Sequence, residues 1–266
     1  KEDILGVLEH IIGIQRDHGN RLNRKNARFK YLIEDWGIEK FHDELAERWG
    51  RRLEDPCETP PFELDLHLRW NPQGDGKYYY GLSIENGRVV DEHEMQLKSA
   101  LRRIVEQYRP GVRLTANQDV LFTDLDEADR DAIETILRDH GVKLPDELSL
   151  TQKFSMACPA LPTCGLALAE SERVLPAMID QIEQEITALG LDEETLSIRM
   201  TGCPNGCPRP YVADIGIVGQ SLDKYKIYVG GTARGTRLNE GNEELVDTND
   251  VVDTIRPLLR AFKQHR

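Results

Sequence analysis

The sequence predicts an α+β protein, and three observations carry that prediction. Residues 62–70 and 78–84 show the two-residue alternation of strands, while residues 97–108 and 126–140 show helical spacing. The order strand, strand, helix, strand, strand, helix puts the helices on one face of an antiparallel or mixed sheet. A Pro-rich stretch, DPCETPP, separates this pattern from what precedes it and marks a first boundary near residue 60.

Taken in order, Ile4, Leu5, Leu8, Ile11 and Ile12 predict an amphipathic helix over residues 2–14. A basic segment follows, with Arg16, Arg21, Arg24, Lys25, Arg28 and Lys30 interleaved with Asn20, Asn23 and Asn26. By itself such a run reads as a solvated face. Helices are expected at 26–36 and 38–50. Phe62, Leu64, Leu66, Leu68 and Trp70 then alternate with Glu63, Asp65, His67 and Arg69, the pattern of a half-buried strand. NPQGDG turns the chain into a second strand through Tyr78, Tyr80, Leu82 and Ile84, closed by Asn86-Gly87. Leu97, Leu101, Ile104, Val105 and Tyr108 predict a helix ending at Pro110-Gly111, and two strands lie around residues 113–123 before the helix at 126–140. Thr115, Asn117 and Gln118 put polar groups where a strand would bury core, so that strand end faces either solvent or a ligand.

From residue 141 the composition changes. A helix through Val174, Met178, Ile182, Ile186 and Leu189 and a strand, LSIRMTG, precede further strands near 212–219 and 225–230, and Val251, Ile255, Leu258 and Phe262 predict a closing helix disturbed by Pro257. Two cysteine pairs dominate this part: Cys158 and Cys164 in SMACPALPTC, Cys203 and Cys207 in TGCPNGC. Four thiolates complete a [4Fe-4S] cube, and this spacing reads as an iron-sulfur site. Disulfides are a weaker alternative, with Cys57 left over and no leader sequence visible; structural zinc usually takes tighter C-x2-C pairs. Cys57 reads as a loop thiol. Gly230-Gly231 and the turn Arg234 to Arg237 are either cofactor-facing or a surface loop.

At 266 residues with 39% hydrophobic content, the chain supports one large or two modest domains. A formal charge of −13 argues against nucleic acid as partner, and no apolar run is long enough for a membrane span. The expected location is a reducing, cytoplasmic compartment.

At TGCPNGCPRPYVADIGIVG the sequence resembles the siroheme-containing sulfite and nitrite reductase family, whose hallmark is a C-x5-C pair followed about 40 residues later by C-x3-C. QRDHGNRLNRKNARFKYLIEDWG and RLTANQDVLF extend the resemblance over most of the chain. It implies a siroheme beside the [4Fe-4S] cluster, with Cys207 shared as axial ligand and Cys158, Cys164 and Cys203 completing the ligand set. It also implies cofactor contacts for Arg16, Arg21, Arg24, Lys25, Asn26, Asn117, Gln118, Asn205 and Arg234. The implied fold is a helical, basic segment (1–60) from the end of a preceding siroheme-binding domain, a ferredoxin-like half-domain (61–140), and a mixed α/β siroheme/[4Fe-4S]-binding domain (141–266). CPALP between the first two cysteines is similar to sulfite reductases rather than nitrite reductases. The implied reaction is six-electron reduction of sulfite to sulfide, with electrons from ferredoxin or a flavoprotein reductase. Family members are usually about twice this length and Lys1 aligns near their middle, so a missing N-terminal half is the expected partner. The alternatives are nitrite reduction to ammonia, or a catalytically silent iron-sulfur module lacking its substrate-binding half. His18 and His140 offer no acid or base assignment.

Overall fold

The computed structural model describes residues 3–57 and 64–265 and divides into two units, Lys1–Phe62 and Glu63–Arg266; among the described residues the first unit holds three α-helices and their connections. In the first unit α1 (Ile4–His18), α2 (Phe29–Trp36) and α3 (Ile38–Trp49) enclose Ile14, Leu32, Phe41 and Leu45. The α1 helix is present as its spacing predicts, but it buries Ile14 and packs Val7 and Ile11 against this core while Ile4, Leu5, Leu8 and Ile12 stay exposed. It carries two apolar stripes, and the i, i+4, i+7 stripe is the one covered. Arg48 ties α1 to α3 by bonding Asp17 at 2.8 Å and Glu44 at 2.6 Å.

The second unit contains two larger sheets. In the first, β1 (Arg69–Pro72) and β2 (Tyr78–Leu82) form a hairpin. A two-stranded ribbon of β3 (Asp91–Glu92) and β4 (Met95–Gln96) leads into α4 (Leu97–Tyr108), followed by β5 (Gly111–Leu114), β6 (Val120–Leu125) and α5 (Arg130–Asp139). The order is β1-β2-β6-β5, antiparallel throughout, with Trp70 opposite Tyr80 and Tyr80 opposite Phe122. Tyr80, Leu82 and Phe122 form one core with Leu97, Ala100 and Ile104 of α4 and Ile133, Ile136 and Leu137 of α5. Each buried Leu, Ile or Phe among them contributes about 1.5–3 kcal/mol of transfer free energy.

Two strand expectations are corrected here. The strand anticipated over 62–70 forms ladder pairs only from Arg69; Phe62 and Glu63 lie outside the described residues. Leu68 is buried between exposed His67 and Arg69, so the alternation in burial persists. The extended conformation does not, because His67 and Arg69 have φ of 57° and 64° and the His67 N–H bonds Asp65 Oδ1 at 2.7 Å instead of a neighbouring strand. Likewise Thr115, Asn117 and Gln118 are not in a strand but in the turn joining β5 to β6. There the Thr115 hydroxyl accepts from Asn117 N and Asp119 N, both at 3.2 Å, and Gln118 takes a φ of 71°.

Asp119 closes this turn, buried, accepting from the Ile84 N–H at 3.1 Å. Burial pushes its carboxyl up to about 6, against the hydrogen bonds from Ile84 and Ser83. A value raised above the ordinary one near 4 stabilises the fold below about pH 4, and the contribution is lost as pH rises through 6. Asp119→Asn should therefore remove a loss on the order of 2–3 kcal/mol between pH 4 and 7. Urea unfolding at both ends of that window checks it; parallel pH slopes in parent and variant would refute it.

The second sheet follows the short α6 (Leu150–Phe154), which Ser149 and Gln152 cap reciprocally. Its elements are β7 (Met156–Ala157), α7 (Leu175–Leu189), β8 (Ile198–Thr201), β9 (Ile215–Ser221), β10 (Lys224–Val229), β11 (Glu240–Asp247) and α8 (Val251–His265). Strand order is β11-β10-β9-β8-β7, with β7, β8 and β9 parallel and the remaining pairs antiparallel. Ile179, Ile182 and Ile186 of α7 and Val252, Ile255 and Leu259 of α8 share a core with Ile198, Met200, Ile217, Tyr225 and Ile227 of the strands. Strand β11 was not anticipated. It is an edge strand whose sequence, EGNEELVD, lacks apolar alternation, and a polar edge suits an unpaired sheet margin. Among the described residues no helix is long and apolar enough to cross a membrane.

Candidate functional site

Both cysteine pairs leave the same end of the mixed sheet. Parallel pairing sets Met156 opposite Arg199 and Ala157 opposite Met200, so Cys158 follows β7 just where Cys203 follows β8. Cys158 N donates to Met200 O at 3.2 Å, Gly202 N donates to Cys158 Sγ at 3.3 Å, and Thr201 Oγ1 lies 3.5 Å from the same sulfur. An N–H directed at sulfur stabilises a thiolate. Gly202 is required by close approach: a Cβ there would stand 2.5 Å from Ala169 O and 2.6 Å from the Ala160 Cβ. Gly206, at φ 67°, turns the second loop, and a Cβ on it would meet the Tyr211 ring at 2.8 Å.

All four thiols are free, but they are not equivalent. Cys158 and Cys203 are each 7% exposed, Cys164 is half-buried and Cys207 is exposed. Burial nevertheless pushes the Cys207 thiol up, and the Cys158, Cys203 and Cys164 thiols beside it push it the same way. Among the described residues no three His, Cys, Asp or Glu side chains close to the spacing of a single ion. A four-iron cube is ligated at its corners, one thiolate to each iron, and does not need convergence on one point. Four free thiols in two neighbouring loops are a donor set that fits such a cube. Cys57 is an exposed thiol in the first unit, as its loop context suggested.

The turn between β5 and β6 reaches the cysteine loops. Gln118 Nε2 donates to Ala157 O at 2.8 Å, one residue before Cys158, and Gln118 Oε1 is buried without a partner. Arg209, two residues beyond Cys207, donates through Nη2 to Ala116 O at 2.9 Å and to Asn117 Oδ1 at 3.0 Å.

Comparison with known proteins decides the family. The profile described as "Nitrite and sulphite reductase 4Fe-4S domain" matches residues 1–53 and 155–266, more than half of the chain, and the "Nitrite/Sulfite reductase ferredoxin-like half domain" matches residues 71–140. The chain belongs to the nitrite and sulphite reductase family. It is similar to the sulfite reductase (ferredoxin) of Synechococcus elongatus, 44% identical over 99% of this chain and 42% of that protein. It is also similar to the sulfite reductase (NADPH) hemoprotein beta-component of Staphylococcus haemolyticus, 40% identical over 100% of this chain and 46% of that protein. The solved structure of the Mycobacterium tuberculosis NirA protein superposes with a TM-score of 0.83 at 25% identity, over 100% of this chain and 50% of that one. The chain thus spans about half the length of the relatives it matches. Its α+β fold is that of the family, ferredoxin-like half domain included.

In this nitrite and sulphite reductase chain the remaining candidates fall into two groups. Asn205 and Arg234 lie in the second unit on exposed turns. Arg16, Arg21, Arg24, Lys25 and Asn26 lie in the first unit, all exposed. Arg16 is engaged with Asp17 at 2.6 Å, Arg21 donates to Arg16 O, and Arg24, Lys25 and Asn26 form a 3-10 turn capped by Asn23. Sequence reasoning missed Arg209 and Arg199, and also the buried Glu172, which pairs with Arg88 and with Arg173 beside a cavity of about 780 Å³. Arg173 in turn donates to Leu161 O at 2.8 Å inside the first cysteine loop. The charge of LSIRMTG was the available signal for Arg199, since a cation inside an otherwise apolar strand needs a reason.

Proposed function

We propose that this chain is the [4Fe-4S]- and siroheme-carrying half of a sulfite reductase that reduces sulfite to sulfide with six electrons. The observation that carries it is the exposure of Cys207 beside buried Cys158 and Cys203, in a family whose profile is a 4Fe-4S domain. Buried Cys158 and Cys203 would hold the cluster, and the exposed Cys207 would be the ligand it shares with the siroheme. When bound, the cluster and siroheme would supply one-electron redox chemistry for sulfite reduction.

The chain's own residues would do the rest. Cys158, Cys164, Cys203 and Cys207 ligate iron, the Gly202 N–H stabilises the Cys158 sulfur, and Gln118 and Arg209 hold the β5–β6 turn against the cysteine loops. Arg16, Arg21, Arg24, Lys25, Asn26, Asn117, Gln118, Asn205 and Arg234 are offered as siroheme contacts, guanidinium groups matching carboxylates bidentately. Sulfite is preferred to nitrite because the relatives at 40–44% identity are named sulfite reductases. Ferredoxin or a flavoprotein reductase would supply electrons, the remaining half of the enzyme would complete the substrate pocket, and a reducing cytoplasm suits four free thiols.

An anaerobic absorption spectrum of the chain, with dithionite and then sulfite added, tests this. Macrocycle bands that shift with sulfite, and not with nitrite, are the expected result when the chain is produced with its complementary half. A larger response to nitrite would reassign the substrate, and a cluster with no macrocycle in the complete protein would refute the siroheme assignment.

A further inference from the structure

Arg199, at 2% exposure, is more deeply buried than any other charged residue described. It lies in β8, where alternate side chains face opposite ways. Ile198 and Met200 enter the core, so Arg199 shares its face with Thr201, whose hydroxyl lies 3.5 Å from Cys158 Sγ. Two residues of strand separate Arg199 from Thr201 by about 7 Å. The only hydrogen bond Arg199 makes among the described residues runs from Nη1 to Arg209 O at 3.5 Å, and its Nε is buried without a partner. No carboxylate among the described residues forms an ion pair with it; Asp214, whose negative charge acts on it, is occupied by Ser197, which donates to it from N and Oγ. Burial pulls the Arg199 guanidinium down to about 10, and the Arg209 charge pulls the same way. Taking a cation out of water without an anion is costly, so an anion supplied from elsewhere would account for its retention.

We propose that Arg199 is that anion's counter-charge: a positioning residue whose fixed positive charge, on the sulfur side of β8, raises the reduction potential of the cluster held by the four cysteines. The inference rests on the reading that those thiols ligate a [4Fe-4S] cluster. One-electron reduction by dithionite makes the cluster one unit more negative, and no proton need move. A cation in a low-dielectric setting favours the more negative state, and cluster potentials respond to local charge as well as to hydrogen bonds and exposure. Asp214 acts in the opposite sense.

The test is an anaerobic potentiometric titration of the cluster-loaded chain, followed by electron paramagnetic resonance of the reduced cluster. Parent, Arg199→Met, Arg199→Lys and Asp214→Asn are compared. Arg199→Met should lower the reduced-to-oxidised ratio at the parent midpoint about tenfold, equivalent to 59 mV for one electron. Arg199→Lys should stay close to the parent, and Asp214→Asn should raise the ratio. If Arg199→Met does not retain iron, Asp214→Asn and Arg199→Lys still decide. An unmoved midpoint in Asp214→Asn, or a shift in Arg199→Lys as large as that in Arg199→Met, overturns the proposal. So does a protein that loses siroheme while keeping the parent cluster potential, which would make Arg199 a carboxylate ligand. A parent chain that takes up no iron fails the cluster reading itself, before any variant is compared.

Discussion

Cys158→Ala is expected to abolish iron incorporation, from about four irons per chain to near none. Cys158 is buried, its sulfur receives the Gly202 N–H at 3.3 Å, and its own N–H is fixed to Met200 O, so the loop presents that one sulfur to the site and no water can replace it readily. The exposed Cys207 should behave differently. Cys207→Ala removes the ligand proposed to be shared, so the expected loss is electronic coupling to the siroheme, seen as separate rather than joint spectral changes on reduction. Iron analysis with absorption near the cluster shoulder reads both variants. A Cys158→Ala protein with parent iron content would remove Cys158 from the ligand set, and a Cys207→Ala protein with full sulfite reduction would remove the shared ligand.

Tyr225→Ala should cost about 3–5 kcal/mol of stability, close to the limit the fold tolerates. The Tyr225 ring is fully buried in β10, against the core shared by α7 and α8, and its hydroxyl donates to Glu170 O at 2.8 Å, next to the segment that returns from the first cysteine loop. Tyr225→Phe keeps the ring and loses only that bond, an expected cost of about 1 kcal/mol. Burial pushes the Tyr225 phenol up to about 12. The stabilisation tied to the neutral phenol is complete below pH 10 and lost as pH rises through 12, so Tyr225→Phe should be less sensitive to alkali than the parent. Denaturant unfolding of the three proteins at pH 8 and pH 11 tests both statements; equal midpoints for Tyr225→Ala and Tyr225→Phe would place the stability in the hydroxyl rather than the ring.

Periodic segments were legible in the sequence. The helices at 97–108 and 175–189 lie where their spacing puts them, because a single buried face dictates each. The strands through Tyr80 and Met200 also form where expected, although the first stops at Leu82, short of Ile84, and the second is buried on both faces. The segment 64–68 was misread because alternating burial does not require extended backbone, and one Asp65 side-chain bond sufficed to divert it. Strand β11 was invisible because an edge strand takes its ladder from β10 rather than from its own apolar pattern. For the site, cysteine spacing identified the chemistry, whereas Arg209 and Glu172 act through partners 92 and 84 residues away in sequence, a relation that no local pattern encodes.

The parallel pairing of β7 with β8 also sets an order of events in the life of the chain. Cys158 and Cys203 become neighbours only when the whole crossover through α7 has been synthesised and has docked, and such non-local parallel contacts form slowly. If the four thiols ligate a cluster as proposed, iron acquisition would be a late step of biogenesis. On that reading the nascent chain would carry open thiols until then, and the supply of reductant and iron at that moment, rather than the stability of the finished fold, would govern how much cluster-loaded chain a cell obtains.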